Sequence, residues 1–203
     1  LSPPPIPFLT GGFRWERGQQ RSSLLLFNKD EKSFSKALDK YRLVPLGEWI
    51  PSIPGVAFHW LSAVGGIQPG DPSRLLKWSG PSAAVAICYE LSDGYALAKA
   101  VREGAEWILV IANLDPYPIS LQRQFLALAQ LRSIETSRNL FSSTNTGPSS
   151  LILDNGEEQR LLPPFVEGVA VGKLYLHRGM TGYLRWGEIP LLCILLLGVI
   201  VLF

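Results

Sequence analysis

Apolar and polar positions divide the chain into two unequal parts. Up to residue 189, short apolar runs alternate with polar or Gly/Pro-rich stretches, as in a layered soluble domain. From Pro190 to Phe203 the chain reads PLLCILLLGVIVLF, without one charge. In the first part, Arg21–Phe27 is a short apolar strand candidate, followed by a polar turn over Asn28–Ser33. Ala37–Val44 alternates and predicts a second strand, stopped by Pro45. Pro45–Gly55 reads as an irregular loop, and Ala57–Gly80 as short strands with turns. Ala83–Cys88 (AAVAIC) and Trp107–Ala112 (WILVIA) have the uniform apolarity of buried central strands.

Between them a helix is expected over Gly94–Glu103, capped by Ser92 or Asp93 and closed by Gly104. A longer helix runs from a Ser120 cap to about Ser137. Its stripe of Phe125, Leu128, Leu131 and Ile134 reads as a core face. Strand candidates follow at Leu140–Ser143, Ser150–Asp154, Glu157–Leu162 and Gly168–Leu176, with Asn155-Gly156 as a type I′ turn. Strands alternating with helices, then a strand-rich end, predict an α/β or α+β layered domain.

Composition sharpens the tail. The 19 Lys and Arg and 17 Asp and Glu all precede Pro190, and mean hydropathy is +0.17. A spanning helix needs roughly 20 apolar residues, and 14 reach only about 21 Å. The tail is therefore either a buried terminal element or a membrane helix cut short by the chain end. Tyr183 and Trp186 stand just before it, where interfacial aromatics belong. The opening LSPPPIPF reads as a Pro-rich loop from within something larger. The chain is thus expected to be cut at both ends. A net charge of +2 without a basic run argues against nucleic acid. Two cysteines, Cys88 and Cys193, make no disulfide framework. His59 and His177 have no metal-ligand spacing, and no phosphate-binding glycine loop or other cofactor motif occurs.

Few residues carry candidate chemistry. Cys88 ends an apolar strand ahead of a helix, where a nucleophile can be exposed beside backbone N–H groups, or it is simply a small buried apolar residue. Lys40 could lower a thiol pKa and stabilise an oxyanion, or be a solvated strand lysine. Glu48 sits in the tight Pro45-Leu46-Gly47-Glu48 loop, where a surface acid is equally natural.

Several segments, in order, carry a resemblance. LVPLGEWIP at Leu43–Pro51 with Lys40 ahead of it, ICYE at Ile87–Glu90, Ala127–Glu157, LPPFVEGV and Thr181–Gly187 (TGYLRWG) resemble the apolipoprotein N-acyltransferases, a membrane-bound branch of the nitrilase superfamily. The resemblance implies an α-β-β-α sandwich, incomplete at its N-terminus, over residues 1–187, and a C-terminal membrane helix over 188–203. It implies a Glu-Lys-Cys triad with Cys88 as nucleophile and Lys40 as its lysine. Glu48 matches the second functional glutamate, and Tyr89 and Glu90 match functional positions beside the nucleophile. The family's base glutamate lies well upstream of the lysine in a Pro-Glu context. Glu16 and Glu31 do not match it, so it is expected before Leu1. Leu114-Asp115-Pro116-Tyr117-Pro118 departs from the family's Asp-aromatic loop, which implies a different substrate preference.

The function implied is N-acyl transfer, without a cofactor, from a phospholipid to the N-terminal amine of a diacylglyceryl-lipoprotein through a cysteine thioester. The resemblance sets it on the extracytoplasmic face of a bacterial inner membrane, although Lys173, Arg178 and Arg185 before the tail would favour the cytoplasm on a positive-inside count. Two alternatives stand beside it: a non-catalytic piece that needs an upstream chain, and a soluble nitrilase-type amidase.

Overall fold

The computed structural model describes residues 5–45, 47–49 and 66–202. The rest of the expected Pro45–Gly55 loop, the start of the Gly-rich stretch and His59 lie outside the described residues. Three antiparallel strands come first: β1 (Phe8–Glu16), β2 (Gln19–Phe27) and β3 (Lys36–Asp39), in that order across the sheet. Strand β1 was not expected from the sequence. It is held to β2 by a two-residue turn at Arg17 and Gly18, both at positive φ, which matches the twist of a hairpin. The second expected strand is shorter than its alternation suggested and stops at Asp39, so Lys40 follows the strand rather than lying in it.

The second sheet has six strands in sequence order: β4 (Leu75–Leu76), β5 (Ala83–Ile87), β6 (Trp107–Ala112), β7 (Leu140–Thr144), β8 (Ser149–Ile152) and β9 (Glu158–Leu162). β5, β6 and β7 run parallel and the other pairs are antiparallel. The parallel connections pass through helices α1 (Gly94–Arg102) and α2 (Ile119–Thr136). Side chains alternate across each strand. Ala84, Ala86, Ile108 and Val110 face a core with Leu97, Ala98 and Val101 of α1. Ala83, Val85, Ile87, Trp107 and Leu109 face Leu24 and Leu38 of the first sheet. The described layers are thus helix, sheet, sheet. That two-sided burial explains why β5 and β6 are apolar at every position.

Of the two expected cap residues it is Asp93 that caps α1, accepting from the Ala96 N–H at 3.0 Å. Three details differ from what the sequence predicts. Pro118, not Ser120, precedes α2, and no side chain caps it. The stripe on α2 is only partly a core face. Phe125 and Leu128 are half-buried against the core, but Leu131 is 44% and Ile134 51% exposed, while Gln122, Ala129, Ser133 and Thr136 are buried. Thr136 Oγ1 donates to Arg132 O at 2.7 Å and Gln122 Nε2 to Tyr117 O at 3.1 Å, while Gln122 Oε1 finds no hydrogen-bond partner among the described residues. The β8–β9 connection is not type I′, because Gly156 alone takes a positive φ (+87°). Its N–H donates to Leu153 O at 2.8 Å, the pattern of a three-residue loop with a glycine bulge.

Gly168–Leu176, expected as a strand, forms no ladder. A short helix α3 (Gly182–Trp186) is capped by Thr181, whose hydroxyl accepts from the Leu184 N–H at 3.0 Å. After Gly187 the tail forms helix α4 (Ile189–Leu202), with every large apolar side chain from Ile189 to Ile200 more than half exposed. It is therefore not a buried terminal element. No helix among the described residues is long and apolar enough to cross a membrane.

Candidate active site

Strand β5 delivers Cys88. The chain leaves the sheet at Ile87 and turns at once into a single 3-10 turn, Cys88–Ser92. Cys88 takes φ +54°, a left-handed conformation that a non-glycine residue adopts at some cost. The thiol is half-buried. Burial pushes its pKa up, opposed by the charge of Lys40 and by a hydrogen bond from the Tyr89 N–H, while Glu48 adds to the rise.

Lys40 is 1% exposed. Its backbone is pinned on both sides: its N–H donates to Ser22 O at 2.8 Å, and its carbonyl accepts from the Gly70 N–H at 2.9 Å. A Cβ at Gly70 would lie 2.4 Å from Asp39 Cβ, so only glycine permits that approach. Lys40 Nζ donates to both oxygens of Glu48, at 2.7 and 2.6 Å. Glu48 in turn accepts the Val44 N–H at 2.8 Å, which explains the compact Val44–Glu48 spacing of the loop. Two charges at this distance, one fully desolvated, are paired and hydrogen-bonded as burial requires.

The structure thus brings Cys88, Lys40 and Glu48 into one electrostatic group. Glu16 and Glu31 do not join it. Glu16 ends β1, ion-paired to Arg14 and Arg21, and Glu31 lies in the turn after β2, accepting from Asn28. Tyr89 is exposed, with the Arg42 guanidinium 5.5 Å from its ring centre. Glu90 is buried and faces Arg74, whose Nη1 donates to its two oxygens at 3.0 and 2.9 Å. Burial pushes Glu90 up, against the charge of Arg74 and the amides of Ile87, Tyr41 and Arg42.

Beside the thiol opens a cavity of about 260 Å3, mostly apolar, walled by Leu114 and Tyr117 of the β6–α2 loop and by Leu121, Phe125 and Leu128 of α2. Phe125 and Leu128 of the stripe therefore line this cavity as well as touching the core. Tyr117 faces the reactive group closely enough that its pKa, raised first by burial, is raised further by the charges of Cys88 and Glu48. Among the described residues no group of three or more His, Cys, Asp or Glu is arranged to hold a metal ion.

Arg74 and Tyr41 are not marked by the sequence, and Asp93 is marked only as a helix cap. Tyr41 Oη donates to Asp93, which also receives Arg42 Nη1 at 2.9 Å. Nothing in their spacing marks these contacts, because their partners lie up to 52 residues away.

No protein-family profile matches the chain. Curated relatives do. It is 62% identical over 200 residues to an apolipoprotein N-acyltransferase of Prochlorococcus marinus (strain MIT 9313), covering 98% of this chain. A Synechocystis sp. enzyme of the same name is 33% identical over 90% of the chain. The chain belongs to the apolipoprotein N-acyltransferase family. It spans about 40% of the length of the first relatives. Among solved structures, an amidase of Nesterenkonia AN1 from the nitrilase superfamily aligns with TM-score 0.57 at 16% identity, over 77% of this chain and 57% of that one. A glutamine-dependent NAD+ synthetase from Acinetobacter baumannii aligns with TM-score 0.61 at 17% identity, over 84% and 31%. At such identities the likeness concerns the fold, which is the nitrilase-like α/β fold.

Proposed function

We propose that this chain carries the nucleophile of an enzyme moving a fatty acyl chain from a phospholipid to the N-terminal amine of a diacylglyceryl-lipoprotein. The observation that carries the reading is the placement of Cys88: on a strained turn, against the Lys40–Glu48 pair, at an apolar cavity that suits an acyl chain better than a small amide.

The chemistry runs in two halves. The Cys88 thiolate attacks the ester carbonyl, forming a C–S bond. The C–O bond to glycerol breaks, and the lysophospholipid leaves with the proton. The lipoprotein amine then attacks the thioester; a C–N bond forms, the C–S bond breaks, and the amine proton passes to a base. Each tetrahedral oxyanion meets the Lys40 ammonium and the backbone N–H after Cys88. Because burial raises the thiol pKa, Cys88 rests protonated near neutrality and its proton must be drawn off during attack. The resemblance gives that task to a glutamate upstream of Lys40. Glu48, bound to Lys40, tunes the lysine, and Tyr89 and Glu90 shape the turn.

Helix α4 supports a membrane setting: an unpartnered apolar helix is unfavourable in water and favourable against lipid. We place the domain over residues 1–187 and the membrane-directed helix over 188–203, on the extracytoplasmic face of a bacterial inner membrane.

The test is to expose the full-length protein in membranes to phospholipid and look for acyl-thioester on the Cys88 peptide by mass spectrometry. A labelled Cys88 that disappears on adding lipoprotein substrate is expected, and Cys88→Ser should give none. Absence of the thioester in the unsubstituted protein would favour a non-catalytic role.

A further inference from the structure

Arg74 is 2% exposed and lies 14 residues ahead of the nucleophile, in a segment with no chemical motif. Two of its three guanidinium nitrogens have defined targets. Nη1 reaches both oxygens of Glu90, Nη2 donates to Asp39 O at 2.9 Å and to Asp71 O at 2.5 Å, Nε has no partner among the described residues, and the plane covers the Tyr41 ring at 4.7 Å. Glu90 spends its remaining capacity on the Tyr41 N–H at 2.6 Å, the Arg42 N–H at 3.3 Å and the Ile87 N–H at 2.9 Å.

The positions of those partners decide what the pair does. Asp39 and Tyr41 are the two chain neighbours of Lys40, and Ile87 is the neighbour of Cys88. One buried ion pair therefore grips the backbone on both sides of the lysine and immediately before the cysteine. Any buried ion pair must satisfy its remaining donors and lone pairs; what distinguishes this one is that the groups doing so flank Lys40 and Cys88. A guanidinium suits the task because its fork of donors is rigid and can serve several acceptors at once; an ammonium is a single point.

From this we infer that Arg74, acting through Glu90, is a positioning residue that sets the distance between Lys40 and Cys88. The inference rests on the reading of Cys88 as nucleophile. Arg74 is buried and does not line the cavity beside Cys88. It acts by holding the lysine charge where thiolate and oxyanion form, and a misplacement of about 1 Å there can cost about 100-fold in rate.

Arg74→Lys separates the two roles, because it keeps a cation on Glu90 and gives up the second arm to Asp39. In the full-length protein, measured on material recovered folded in detergent, the expected result is a near-native melting midpoint. Thioester formation should slow about 100-fold at unchanged KM for phospholipid. In parallel, iodoacetamide labelling of the Cys88 peptide, resolved from that of Cys193, should shift to higher pH. The groups facing the thiol there are Lys40, Glu48, Glu90 and Tyr117. Glu90→Gln, which keeps the side-chain size and one acceptor, should show the same loss of rate at a near-native midpoint and unchanged KM; its labelling shift is a separate matter, because it also removes a charge that raises the thiol pKa.

A native rate and labelling profile in Arg74→Lys would overturn the inference, as would a change in KM alone. So would failure of both variants to fold, which would make the pair a folding element. The labelling needs no lipid. Absence of thioester in the unsubstituted protein would therefore sink the acyl-transfer reading while leaving this one testable.

Discussion

Lys40 shows what burial does to an ordinary residue. In the sequence it is one of 19 cations; in the fold it is sealed from water with its charge on Glu48. It stabilises the Cys88 thiolate and Glu48 opposes it, so the two can be separated by sign. Lys40→Met should raise the pH at which Cys88 becomes reactive and slow thioester formation by about 100-fold or more. Glu48→Gln should lower that pH. Thiolate forms as pH rises through the raised pKa, so labelling of unsubstituted Cys88 should inflect above the ordinary thiol value of about 8.5. A pH titration of iodoacetamide labelling checks all three. Shifts of the same sign in both variants would remove the electrostatic account.

At the scale of elements, turns and helix faces are where local pattern and tertiary structure parted. Asn155-Gly156 correctly marks the β8–β9 turn, but the turn is longer and only glycine turns left-handed. A Cβ there would also stand 2.6 Å from Ile134 Cδ1 on α2. Gly156→Ala should therefore destabilise by about 1 kcal/mol or more, from strain and crowding together, read as a lower denaturation midpoint with labelling of Cys88 unchanged. An unchanged midpoint would mean that Ile134, half exposed, simply swings aside. Helix α2 carries the larger lesson. Its apolar spacing was legible, but spacing does not say which surface it meets. Half of the stripe lines the cavity and the other half faces outward.

At the scale of the molecule, α4 is attached to the helix and sheet layers at its base. Arg102 Nη1 donates to Leu184 O at 3.1 Å, Leu184 is buried, and Tyr183 Oη donates to Glu188 at 3.0 Å. The junction is therefore tied to α1 while the helix beyond is bare. Deleting residues 189–203 should make the chain recoverable without detergent and leave the Cys88 labelling profile intact, checked by fractionation and mass spectrometry. Persistent detergent dependence would shift the membrane contact to the exposed apolar segment around Val169 and Val171.

The sequence alone determined what depends on neighbours along the chain: the strands β5 and β6, apolar throughout because both faces are covered; the Gly94 helix start; the turn after β8; the isolated apolar tail. Through ordered motifs it also marked Cys88, Lys40 and Glu48. It could not reveal β1, whose glycines hide the strand pattern, or the absence of pairing over Gly168–Leu176, where alternation found no partner strand. Nor could it show that Glu90 turns inward to Arg74 while Tyr89 faces out. Those outcomes were decided by tertiary structure, because burial and hydrogen-bond satisfaction are settled between segments far apart in the chain. The charge that raises or lowers a thiol pKa has meaning only once a lysine 48 residues away has been sealed beside it.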